Sequence, residues 1–175
     1  MKHPTIPANQ TSINFDNVFT GALPHLVIVG LVSDADHAGG YQRNSINFQN
    51  FGVNRIEMKR NGTSVARGGS TKNFASGQYL KAYSTRLQKL VCDTGDEIIN
   101  LTLSEWADKN TLYAFKITDG LIKFGTYGPP SKSTTGFARL EVSLDAPLNE
   151  YIKVIVYYHS PGRIEFDQFN AVIVL

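Results

Sequence analysis

The chain predicts an all-β domain, an antiparallel two-sheet sandwich with one or two short helices in its connections. Three observations carry this expectation. Two apolar runs rich in β-branched residues, 26–32 (LVIVGLV) and 152–158 (IKVIVYY), are too short to cross a membrane and too poor in helix formers for a surface helix, so both read as buried strands. Residues 53–59 and 137–144 alternate from one residue to the next, the period of a strand with two different faces. Fifteen glycines and seven prolines are spread along 175 residues, which supplies the turns that many short strands need.

Taken in order, residues 1–22 read as an extended lead-in. Pro4 and Pro7 forbid a helix, suit an edge strand, and leave Ile6, Ile13 and Phe15 to pack on a sheet. Residues 23–175 form the sandwich, with no internal repeat and no interdomain linker. After the first buried strand, residues 33–47 are polar and Gly-rich and offer little to bury, so they run over the surface. In 53–59, Val53, Arg55, Glu57 and Lys59 fall on one face and Asn54, Ile56 and Met58 on the other. Asn61-Gly62 then supplies the two positive φ angles of a type I′ turn, with 63–66 as the returning strand; the conformation, not the Asn61 side chain, is expected to matter. Ser76 is placed to cap a helix over 77–91, in which Tyr79, Leu80, Tyr83, Leu87, Leu90 and Val91 recur at helical spacing and cover an open end of the sheet. Residues 98–101 read as a short strand. Thr102-x-x-Glu105 is a capping box that opens a short helix through Trp106 and Ala107, with Trp106 as a buried anchor. Residues 112–117 read as a central strand, and 123–135, with Gly125, Gly128, Pro129 and Pro130, as a long exposed loop. In 137–144, Phe137, Arg139, Glu141 and Ser143 oppose Ala138, Leu140, Val142 and Leu144. Residues 163–166 and 171–174 complete the sheet.

Several of these stretches, in this order, carry a resemblance. The LVIVGLV strand is followed by an acidic turn, the loop Gly39-Gly40-Tyr41-Gln42-Arg43-Asn44, then Asn47-Phe48-Gln49-Asn50-Phe51-Gly52 and a charged strand with a tight turn. Upstream stand Thr5-Ile6-Pro7-Ala8 and the strand entry Gly21-Ala22-Leu23-Pro24; downstream stand Gly77-Gln78-Tyr79-Leu80, the acidic-Gly insert Asp93-Thr94-Gly95-Asp96, Thr111-Leu112-Tyr113-Ala114-Phe115 and Val154-Ile155-Val156-Tyr157-Tyr158. This ordered set resembles the second jelly roll of the double-jelly-roll major capsid proteins of Polinton-type elements and adintovirus-like viruses. The resemblance, and not the periodicity, selects a jelly roll over an immunoglobulin-like sandwich. In that family two rolls stand side by side and three chains form a pseudo-hexagonal capsomer. This chain has the length of one roll, so the resemblance implies either an excised C-terminal half or a stand-alone product.

Composition bounds the remaining classes. A formal charge of +2, with lysines and arginines interleaved with acids, lacks the basic stripe of a direct nucleic-acid partner. No apolar run has the length of a signal peptide core or a membrane helix, so a soluble chain with no membrane partner is expected. The lone Cys92 reads as a small apolar group beside Leu90 and Val91. Asparagine triplets at Asn9, Asn61 and Asn100 match the glycosylation pattern by chance in so polar a chain. Asp34, Asp36 and His37 are ligand types, but a solvated turn whose aspartates bond backbone amides explains them, and no metal and no cofactor is expected. His3, His25, His37 and His159 fall in no ligand pattern; no nucleophile elbow or phosphate loop occurs, and Glu141, Glu165 and Asp167 read as water-facing strand charges. No enzyme is expected.

The expected function is therefore that of a structural viral capsid protein, a module that associates with itself or with an N-terminal jelly roll of the same protein, as a trimer in the full-length parent. It would be made in the host cytoplasm or nucleus and reside in the virion. The alternative is a lectin-like or receptor-binding sandwich that presents its long loops to a glycan, and the aromatic residues available there are Tyr41, Phe124 and Tyr127.

Overall fold

The computed structural model describes residues 1–65, 72–84, 101–117 and 134–160, together with the strands Ile164–Phe166 and Val172–Val174. Eight strands build two four-stranded antiparallel sheets. They are β1 (Thr5–Ile6), β2 (Ser12–Ala22), β3 (Leu26–Ser33), β4 (Val53–Arg60), β5 (Thr63–Ser64), β6 (Leu112–Lys116), β7 (Thr135–Leu144) and β8 (Ile152–His159). One sheet has the order β1-β8-β3-β6 and the other β2-β7-β4-β5. The pairing is nested: first with last, second with seventh, third with sixth, fourth with fifth. A long antiparallel ribbon folded in this way and wrapped once around a core is a jelly roll. The cross-ribbon pairs β3·β8 and β4·β7 close each half of the wrap into a sheet.

The core lies between the inner faces. Val27, Val29, Leu31, Val154, Val156 and Phe115 come from one sheet, and Ile56, Met58, Ala138, Leu140 and Val142 from the other. β7 follows its expected alternation, with Ala138, Leu140, Val142 and Leu144 buried. β3 is central and buried along almost its whole length because it has a neighbour on each side. Its one glycine is required by packing: a Cβ on Gly30 would lie 2.5 Å from the Phe48 ring. β8 is buried through Val156, after which Tyr157 emerges 54% exposed.

Several elements depart from the sequence reading. Residues 1–22 supply edge strands, as Pro4 and Pro7 suit, but to both sheets and not to one. In β4 a bulge between Val53 and Arg55 shifts the register, so Val53 joins Ile56 and Met58 in the core instead of facing Arg55's side. β6 is outermost in the described sheet, not central, because only β3 pairs with it there. β9 (Ile164–Phe166) and β10 (Val172–Val174) pair with each other as a separate hairpin among the described residues instead of extending a sheet.

The connections carry the helices. α1 (Asp34–Ala38) opens the 33–47 excursion, where no helix was expected. Residues 80–84 form helical turns, α2, that begin later than Gly77: Asn73 and Gln78 close a backbone-bonded turn, and Ser76 sits inside it, its N–H donating to Asn73 Oδ1 at 2.9 Å. α3 (Leu103–Lys109) starts at the expected capping box, with Thr102 accepting from the Glu105 N–H and Glu105 accepting from the Thr102 N–H at 2.8 Å. The proposed strand at 98–101 and the helix beyond 84 lie outside the described residues, apart from Leu101, which is not in a strand.

Candidate functional site

Register fixes which connections share an end of the sandwich. Ser33 faces Ile152, Val53 faces Leu144, and Ser12 faces Ser143, so the connections 7–11, 34–52 and 145–151 lie at one end. Leu26 faces both Lys116 and His159, and Gly21 faces Gly136, so the Asn61-Gly62 turn and the anchors of segment 118–133 lie at the other. The two ends are separated by the eight residues of β3, roughly 25 Å at strand rise. Tyr41 sits fully exposed in the first set of connections. Phe124 and Tyr127 lie outside the described residues, in the segment anchored at the opposite end. Other apolar side chains accompany Tyr41: Ile46 and Tyr151 are 68% and 57% exposed in the connections at that end. Sequence reasoning missed them because their company depends on the strand register.

The acidic group at α1 is engaged by side chains, not by backbone amides as expected. Asp34 pairs with Lys153 at 3.3 Å; Asp36 pairs with Arg43 at 3.3 Å and accepts from Asn47 Nδ2 at 3.4 Å. The His37 ring lies 5.3 Å from that of His3. No group of three or more His, Cys, Asp or Glu converges among the described residues. Glu141 is held by Lys59 at 2.8 Å and lies 3.7 Å from Arg139, which binds Asp16 at 2.5 Å. Asp167 and Cys92 lie outside the described residues. Glu57 faces Glu141 across the β4·β7 ladder, an opposition of like charges. A hydrogen bond from Ser64, opposed by burial, holds the Glu57 carboxyl below its ordinary range, helped by Arg55 at 2.6 Å and the charge of Lys59.

Trp106 gathers an aromatic cluster beneath the 34–52 end. The rings of Phe74, Tyr79, Tyr83 and Tyr113 stand 5.9–6.1 Å from it, and its indole N–H donates to the Leu112 carbonyl at 3.1 Å. Tyr79 and Tyr83 thus pack as the helical spacing predicts, whereas Leu80 points outward, 61% exposed. Lys72 lies buried with its ammonium 5.3 Å from the Tyr113 ring, and burial together with the charge of Arg55 lowers its pKa to about 8. Burial pushes the Tyr113 phenol above its ordinary range. A polar cleft of about 100 Å³ at the far end is lined by Arg60, Thr63, Ser64, Val65, Lys116 and Ile117, with the Arg60 guanidinium already donating to the Ile117 carbonyl at 2.8 Å. Among the described residues no helix is long and apolar enough to cross a membrane. No protein-family model and no curated protein sequence matches the chain.

Proposed function

We propose that this chain is a structural, self-associating module of a viral capsid protein, acting as the second roll does in the double-jelly-roll capsid proteins it resembles. The observation that carries the reading is the nested pairing of eight strands in chain order, a scaffold common in capsids, on the same stretches that bear the ordered resemblance. A jelly roll assembles by offering side surfaces and end connections to other rolls, and closed rings need two different patches of one roll to meet. Tyr41, Ile46 and Tyr151 give one end an apolar character set among polar groups such as Arg43 and Asn44, which suits a small, wet contact.

A single roll with surfaces of this kind associates weakly or not at all at micromolar concentration, while a two-roll parent trimerises and resides in the virion. The test is native mass spectrometry and electron microscopy of this chain alone and joined behind an N-terminal jelly roll. Trimers or particles from the joined form support the capsid reading. Monomers from both, with reproducible glycan-array binding lost in Tyr41→Ala or Tyr127→Ala, would replace it with the lectin-like alternative.

A further inference from the structure

We propose that residues 1–6 exchange between two copies of this chain, so that β1 of one copy completes the β8 edge of the other. The inference rests on how this arm is tethered and does not depend on the capsid reading.

Among the described residues β1 lies at the outer edge of its sheet and pairs with β8 alone. Lys2 and Val156 exchange both backbone bonds, at 3.0 and 2.9 Å. Alternation along the ladder makes Pro4 opposite Val154 a pair of the same kind. Val154 N–H does donate to the Pro4 carbonyl at 2.8 Å, but Pro4 has no N–H to return, so the ladder lacks one bond midway along the arm. Among the side chains, Ile6 fills the core completely buried, Thr5 accepts from Lys153 Nζ at 2.7 Å, and Lys2 reaches the Val18 carbonyl and the Phe19 ring. Every one of these partners is equally present on a second copy, so exchange sacrifices no arm contact.

The hinge decides the balance. Residues 7–11 carry the chain from one sheet to the other, and within them Asn9 adopts a left-handed backbone with φ +63°. Its N–H donates to Leu148, and Leu148 N–H donates to Gln10, which ties the far side of the hinge to the body while Pro7 and Ala8 stay on the arm side. Relaxing Asn9 to an extended conformation swings the arm outward, and a short strained hinge favours such exchange. Six extended residues reach roughly 20 Å, which is sufficient for the β8 edge of an adjacent copy.

Thr5 faces Lys153 in a non-hydrogen-bonded pair, where the Cα atoms are about 4.5 Å apart and a disulfide can close. In a Cys92→Ser background, Thr5→Cys and Lys153→Cys are made singly and together. The double variant, oxidised when dilute, closes within one chain and shows that the pair reacts in the native fold. The single variants, mixed at high concentration and then oxidised, are expected to give a covalent dimer of unlike chains that neither gives alone. Asn9→Val, which disfavours the closed hinge, raises the dimer yield. Pro4→Ala, which restores one bond of about 1 kcal/mol, slows exchange about fivefold. Intrachain closure in the double variant with no unlike-chain dimer from the mixture overturns the proposal. Should the double variant fail to oxidise, sedimentation of the unsubstituted chain well above micromolar concentration decides: a slowly exchanging dimer is expected there, and a monomer at every concentration overturns the proposal.

Discussion

At the scale of the residue, the Asn61-Gly62 turn does two jobs. Both residues have positive φ, +47° and +82°, as a type I′ hairpin requires. The Asn61 side chain also binds: its Oδ1 accepts from Phe137 N–H at 3.0 Å and fills the space a Cβ on Gly136 would need, so the expectation that only conformation matters is corrected. Nothing stands within 4 Å of a Cβ placed on Gly62, which makes the cost of Gly62→Val purely conformational, on the order of 1–2 kcal/mol. The expected readout is a melting temperature lower by several degrees, and an unchanged value removes the turn's role. Lys72 makes the second prediction. Its folded pKa of about 8 lies below the ordinary 10.5, so the fold disfavours the charged form, and stability rises as pH climbs from about 8 to 10.5 because the unfolded chain then holds more protons. That shift bounds the penalty at about 3 kcal/mol, and the cation–π contact with Tyr113 offsets about 1 kcal/mol of it. Lys72→Met is therefore expected to be more stable at pH 7 and to lose the rise above pH 8 in urea unfolding. Parallel pH profiles for the two proteins would contradict the burial argument.

At the scale of the element, α3 is a helix of seven residues and too short to hold itself, so its cap and its tryptophan set it in place. Thr102 and Glu105 satisfy each other's backbone N–H, and the bonds from the Thr102 backbone and side chain hold the exposed Glu105 carboxyl below its ordinary range. Thr102→Ala is expected to cost about 1 kcal/mol in unfolding free energy, and Thr102→Ser to restore most of it. If the alanine and serine variants unfold alike, the cap is not what positions Trp106. This helix was legible because its signal is local. The start of α2 was not, because the Asn73–Gln78 turn competes for the same residues and its closure is settled by packing against Trp106. The bulge in β4 left one local trace, the two polar residues Asn54-Arg55 between Val53 and Ile56, but a reading by strict two-residue period passes over it, and only the pairing with β7 shows the shift.

At the scale of the whole molecule, the nested pairing decides what can meet. It puts Tyr41 at one end and the anchors of segment 118–133 at the other, which no reading of loop composition reveals. It also makes residues 1–6 an edge strand held by β8 among the described residues, the condition for exchange between copies. The sequence by itself determined the β class, the two buried strands, the half-buried face of β7, the Asn61-Gly62 hairpin, the α3 cap and the burial of Trp106. Each of these follows from backbone preference and side-chain period within about ten neighbouring residues. Only the tertiary structure decided the edge position of β6, the core position of Val53, the side-chain partners of Asp34 and Asp36, the burial of Lys72 and the ends to which the loops belong. Those features depend on pairing between strands as distant as Thr5 and Lys153, and the free energy that selects a register comes from burying both sheets against each other at once.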